Sequence, residues 1–127
     1  MSTVSPTPMS ICLGIVGSCH FTDEAKFEDF VKKWVTINGK PSIIVSGGEK
    51  GVDILTRNYA NKMKYPLEEI NADWSTYGKN AVPIRNNKIV TLCTHILVLP
   101  GRSEKESQDI ISKAKKENKQ LTVYFIN

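Results

Sequence analysis

Ile43-Ile44-Val45-Ser46-Gly47-Gly48-Glu49-Lys50-Gly51-Val52-Asp53 reads as a buried strand that breaks into a glycine turn and passes straight into a helix. The β-branched run favours extended backbone. Glycines at such a turn permit positive φ and let a ligand come close to the main chain, while the free N–H groups at the helix start favour an anion. The stretch therefore predicts a phosphate or carboxylate pocket. It does not match the dinucleotide fingerprint G-x-G-x-x-G, and tight turns are also glycine-rich for steric reasons alone. Gly47, Gly48 and Gly51 thus have two readings, ligand cradle or tight turn.

On either side, strand-like and helix-like patterns alternate. Ile11 to Val16 reads as a strand, and Phe27, Phe30, Val31 and Trp34 then fall at i, i+3, i+4, i+7 on one helix face. Thr22 or Asp23 can cap that helix, and Asn38-Gly39-Lys40-Pro41 carries its stop signals. The second strand is Ser42 to Val45. The second helix runs from Gly51 to Lys64 with Val52, Leu55, Tyr59 and Met63 inward, and Leu67 to Asn71 is a short third strand. A loop, Ala72 to Lys79, leads to a third helix that Asn80 can cap, with Pro83 in its first turn and Ile84, Ile89 and Leu92 inward. His95 to Leu99, Glu104 to Asn118 and Leu121 to Ile126 complete the series as strand, helix and strand.

Alternation of this kind predicts an α/β fold, a Rossmann-like three-layer sandwich whose five-stranded parallel sheet has the order 3-2-1-4-5. Ligands of such sheets bind outside the carboxyl ends of the strands at the switch point, here between the first and fourth strands. Three loops are expected on that edge: Gly17-Ser18-Cys19-His20, Ser46 to Gly51, and Pro100-Gly101-Arg102-Ser103.

With 127 residues, 40% hydrophobic and 24% charged, the chain suits one domain, residues 10–127, behind a loose tail over residues 1–9. No run approaches the roughly 18 apolar residues of a membrane span, and Met1 to Met9 lacks the basic and apolar regions of a signal peptide. Three cysteines without C-x-x-C spacing point to free thiols. The expectation is a cytoplasmic protein that meets no membrane. A net charge of +4 suits anionic ligands but is too diffuse to demand nucleic acid, and Lys113, Lys115, Lys116 and Lys119 read as a solvated face.

Ile15-Val16-Gly17-Ser18, Val45-Ser46-Gly47-Gly48-x-x-Gly51-Val52-Asp53 and Ala72-Asp73-Trp74-x-x-Tyr77-Gly78-Lys79-x-Ala81-x-Pro83-Ile84-Arg85-Asn86 together resemble the YspA-like branch of the SLOG superfamily, the Rossmann-like group of the DprA/Smf and Lonely Guy proteins. The resemblance covers nearly all of the chain from Ile11 to Ile126. It implies a domain that binds nucleotides or nucleotide-derived ligands, commonly as a homodimer, with no resident cofactor. Two departures stand out. Where relatives carry Gly-Ser-Arg, this chain has Gly17-Ser18-Cys19-His20, so a fixed positive charge is missing. Where relatives carry a Gly-x-Gly-Thr phosphate loop, it has Gly101-Arg102-Ser103-Glu104-Lys105-Glu106-Ser107, in which Ser103-x-x-Glu106 forms a capping box.

Lonely Guy enzymes cleave the N-glycosidic bond of nucleotides with an Arg and a Glu. Arg85 matches the arginine, and either Asp109 or Ile110 falls near the carboxylate position. Binding without turnover is the leading expectation, with a phosphoribohydrolase that uses Arg85 and Asp109 as the alternative. Each remaining candidate also has a structural reading. Asp53 either meets ligand or complements the helix dipole. Asp73-Trp74 and Tyr77 lie in a polar loop, where an aromatic face is placed to stack on a base. Lys79 and Arg102 are surface charges unless their loops close over the pocket. Arg85, beside Asn86, must bury its fork on an anion or a carboxylate. Ser18 and Ser46 are anion-binding hydroxyls rather than nucleophiles, and Gly17, Gly101 and Ser103 belong to the expected rim.

No metal site is expected. Cys19-His20 follows the first strand, whereas Cys93 and His95 precede the fourth, so the pairs lie on opposite edges on the order of 16 Å apart. One zinc ion, with ligands at about 2.0–2.3 Å, cannot join them.

Overall fold

The computed structural model describes residues 10–100 and 105–125. The expected tail, Gly101, Arg102 and Ser103 lie outside the described residues, as does the capping box. Elements alternate as β1 (Cys12–Gly17), α1 (Glu24–Asn38), β2 (Ile43–Ser46), α2 (Val52–Met63), β3 (Leu67–Glu69), α3 (Trp74–Tyr77), α4 (Ala81–Leu92), β4 (His95–Leu99), α5 (Lys105–Lys116) and β5 (Gln120–Val123). All neighbouring strands are parallel, in the order β3-β2-β1-β4-β5. The Rossmann-like architecture is therefore as the alternation predicts.

The inner strands β1, β2 and β4 are covered on both faces, which explains why they are largely apolar rather than alternating. Leu13, Ile15, Ile44, Leu97 and Leu99 pack under α1 and α2 with Phe27, Val31, Trp34, Leu55 and Tyr59. Val45, Ile96 and Val98 pack on the other face with Ile89 and Val90 of α4, Cys93 just beyond it, and Ile110 and Ala114 of α5. Helix α1 starts at Asp23, whose carboxylate accepts from the Lys26 amide, and ends at Gly39 with φ 107°. Among the described residues no helix is long and apolar enough to cross a membrane.

Local expectations fail where apolarity alone was the guide. Met63, in the final turn of α2, shares its helix face with Val52 but is 43% exposed. The buried stripe instead continues through Thr56 and Ala60. Leu92 is 49% exposed rather than inward. The inward face of α4 is Ala81, Arg85, Asn86, Ile89 and Val90, two of them polar residues that bond to one another. Asn80 precedes α4 without a side-chain cap. A 3₁₀ turn over Gly78–Asn80 runs directly into the helix, leaving Asn80 already helical at φ −90°, ψ −2°. Strand β3 ends at Glu69 rather than Asn71, as an edge strand paired only with β2. The expected loop from Ala72 contains α3, capped by Asp73. Helix α5 stops at Lys116, short of Asn118, which has φ 56°.

Candidate functional site

The carboxyl ends of β1 and β4 lie side by side, with Gly17 opposite Leu99. The Ser18 amide donates to the Leu99 carbonyl at 3.0 Å, and the Val52 amide donates to the Ser18 carbonyl at 3.0 Å. Helix α2 is thus seated directly on the loop after β1. Gly51 makes that seat possible. It has φ 66°, and a Cβ there would collide with the Ser18 carbonyl and the Cys19 backbone.

The β2–α2 turn is held by its own oxygens. Buried Ser46 accepts from the Gly48 amide through Oγ at 3.4 Å, and Asp53 Oδ2 accepts from the Glu49 amide at 3.1 Å. Two amides expected to face an anion are therefore turned toward the protein. Ser18 Oγ is likewise occupied by the His20 amide at 3.1 Å. Asp53 is only 8% exposed, and its Oδ1 has no hydrogen-bond partner. Burial pushes its carboxyl above the usual carboxylate range, against the pull of the Glu49 amide, the Arg85 charge and the Ser46 hydroxyl.

Arg85 reaches the same turn from α4. Its Nη1 donates to the Gly47 carbonyl at 3.2 Å and to Glu49 Oε1 at 3.3 Å, while Nε donates to Asn86 Oδ1 at 2.9 Å. A Cβ on Gly47 would strike the guanidinium, so this glycine makes room for an arginine. The chain of polar contacts continues outward. Asn86 Nδ2 donates to Asp109 Oδ2 at 3.0 Å, and Lys113 holds the same oxygen at 2.7 Å and the Pro83 carbonyl at 3.0 Å.

Two clefts open here. The inner one, about 190 Å³, is lined by Val16, Gly17, Asp53, Val82, Arg85, Ser107 and Ile110, with Glu49 and Trp74 on its wall. The outer one, about 580 Å³, is lined by Gly48, Lys50, Ile54 and Arg57 and shares Glu49 and Trp74. Trp74 is 57% exposed and borders both. Asp73, beside it, serves α3 instead. Hydrogen bonds from the Thr76 and Ser75 hydroxyls and from the Thr76 amide hold its carboxyl below the usual range. Tyr77 and Lys79 are exposed and line neither cleft, and Asn86 and Asp109 stand behind Arg85 rather than in the lining. A shallow depression of about 510 Å³ over Ile70, Asn87, Lys88, Thr91 and Leu92 contains none of these groups.

Glu49 was not singled out from sequence, whereas Ser107 belongs to the segment that stands in place of the phosphate loop and lines the inner cleft. Glu49 stands four residues before Asp53 in the glycine turn, but nothing in that spacing announces an arginine arriving from α4. Cys93 and His95 belong to the opposite edge, since Leu13 rather than Gly17 pairs with His95. Burial pushes the Cys93 thiol up and holds the His95 imidazole below its ordinary range. Among the described residues no three His, Cys, Asp or Glu side chains gather to hold a metal. Comparisons with known protein families, curated proteins and solved structures gave no match.

Proposed function

We propose that this protein binds a nucleotide or nucleotide-derived phosphorylated ligand at the carboxyl edge of its sheet, as a sensor, carrier or sequestering module. The observation that carries the reading is one cleft at the β1–β4 crossing that is walled by an exposed indole, Trp74, and lined by Asp53, a buried carboxylate whose Oδ1 has no hydrogen-bond partner within the protein. An exposed aromatic face offers a stacking platform to a base. A buried acceptor without a donor is costly unless a ligand or a water supplies one. The resemblance of the glycine turn and the 72–86 segment to YspA-like SLOG proteins supports the same class of ligand.

Binding takes precedence over hydrolysis. Asp109, the carboxylate paired with Arg85 in the enzymatic alternative, is held by Lys113 and Asn86 and does not line the cleft. Titration calorimetry with the four ribonucleoside 5′-monophosphates tests the proposal. At least one is expected to bind, and Trp74→Ala is expected to weaken it by 1–3 kcal/mol, the scale of a base–aromatic stack. Stability should change by no more than about 0.5 kcal/mol, as at other exposed sites. Unaltered affinity in the Trp74 variant refutes the reading, and free base detected by chromatography after incubation restores the enzymatic one.

A further inference from the structure

The two clefts differ in size and in charge. The inner cleft, at about 190 Å³, falls below the several hundred Å³ of a site that encloses a whole small ligand. It has room for a fragment. Its cation, Arg85, is already committed to the Gly47 carbonyl, Glu49 and Asn86. A phosphate placed there would meet the Asp53 and Glu49 carboxylates with no uncommitted positive charge to offset them. What the inner cleft lacks is a donor, because Asp53 Oδ1 is an acceptor left unpaired by the protein.

The outer cleft shares Glu49 and adds Lys50, which enters no ion pair among the described residues. Lys50 is exposed and lines it, and Arg57 lies beside it with its side chain 45% exposed, gripped by Glu69 at 2.8 Å and 3.1 Å. Lys50 stands just before the amino end of α2, where the helix dipole also favours an anion. Trp74 forms the wall common to both clefts. Resting on the nucleotide reading above, we infer that one ligand is divided between them. The base stacks on Trp74, the 5′-phosphate lies by Lys50, and the 2′,3′ edge of a ribose dips inward to donate a hydroxyl hydrogen to Asp53 Oδ1. The connectivity of a nucleoside 5′-monophosphate suits this division. Base and phosphate leave the sugar at C1′ and C5′, and the vicinal hydroxyls form the edge between their far sides. The ligand class is thereby narrowed to ribonucleotides.

Calorimetry on the full chain with ribonucleoside 5′-monophosphates, their 2′-deoxy and 3′-deoxy forms and the unphosphorylated nucleosides tests the assignment. Loss of the hydroxyl that meets Asp53 should weaken binding about tenfold or more, the range of a hydrogen bond to a charged acceptor. Asp53→Ala, checked for folding by circular dichroism, should erase that discrimination. Lys50→Ala should preserve it while narrowing the gap between monophosphate and nucleoside. Equal affinity for ribose and both deoxyribose forms in the unaltered protein overturns the assignment and leaves nucleotide binding standing, and needs no variant to fold. Discrimination that survives in a folded Asp53→Ala protein overturns it too. Failure of every probe to bind overturns both readings.

Discussion

A carboxyl group that gives one oxygen to the Glu49 amide and keeps the other unpartnered in a buried setting resists ionisation, and Asp53 is in that position. Its folded-state pKa is raised, so the sign of its contribution is set. Below the unfolded value of about 3.9 both states hold the proton and there is no penalty. As pH climbs through the raised folded value, the native state gives up a proton it had retained, and stability falls. Asp53→Asn should therefore melt at a higher temperature than the unaltered protein near neutrality, with the advantage shrinking as pH approaches 4. A melting difference that does not vary with pH counts against the strained carboxyl. From sequence, Asp53 was visible as a first-turn acid that complements a helix dipole. Its missing partner was not, since that depends on how the neighbouring elements pack around it.

Between elements, the contact that ties the β2–α2 turn to α4 is the guanidinium of Arg85 lying where Gly47 has no side chain. A methyl group at Gly47 intrudes on that guanidinium, so Gly47→Ala should be costly when Arg85 is present and cheaper in an Arg85→Ala background. Some cost remains, because Asp53 Oδ2 also lies 3.0 Å from the position of the added carbon. Urea unfolding of the four proteins in the cycle should give a coupling of about 1 kcal/mol or more, in the range found for touching residues. Strict additivity rejects the latch. The same contact marks the limit of pattern reading. The i, i+3, i+4 rule located α1 and its buried face, where Phe27, Val31 and Trp34 are all apolar. It misplaced Leu92 because the inward face of α4 carries Arg85 and Asn86, whose burial is sustained by hydrogen bonds rather than by hydrophobicity.

At the scale of the whole molecule, strand and helix order, parallel pairing and strand sequence were legible because each depends on composition over many residues. The expected place of a candidate site, at the carboxyl ends of β1 and β4, likewise follows from topology. Its inner chemistry was less legible. The glycine turn implied amides open to an anion, whereas the amides of Gly48 and Glu49 are satisfied by Ser46 and Asp53. No spacing rule separates an amide offered to a ligand from one taken by a neighbouring side chain.

The two tryptophans stand at opposite extremes: Trp34 is 1% exposed, its ring edge-on to His95 at 5.6 Å, while Trp74 is 57% exposed at the rim of both clefts. Intrinsic emission should consequently resolve into two populations. Acrylamide should quench the red-shifted component from Trp74 and scarcely touch the blue-shifted one from Trp34 until the chain unfolds. Light alone would then report occupancy of the rim and integrity of the interior as separate signals.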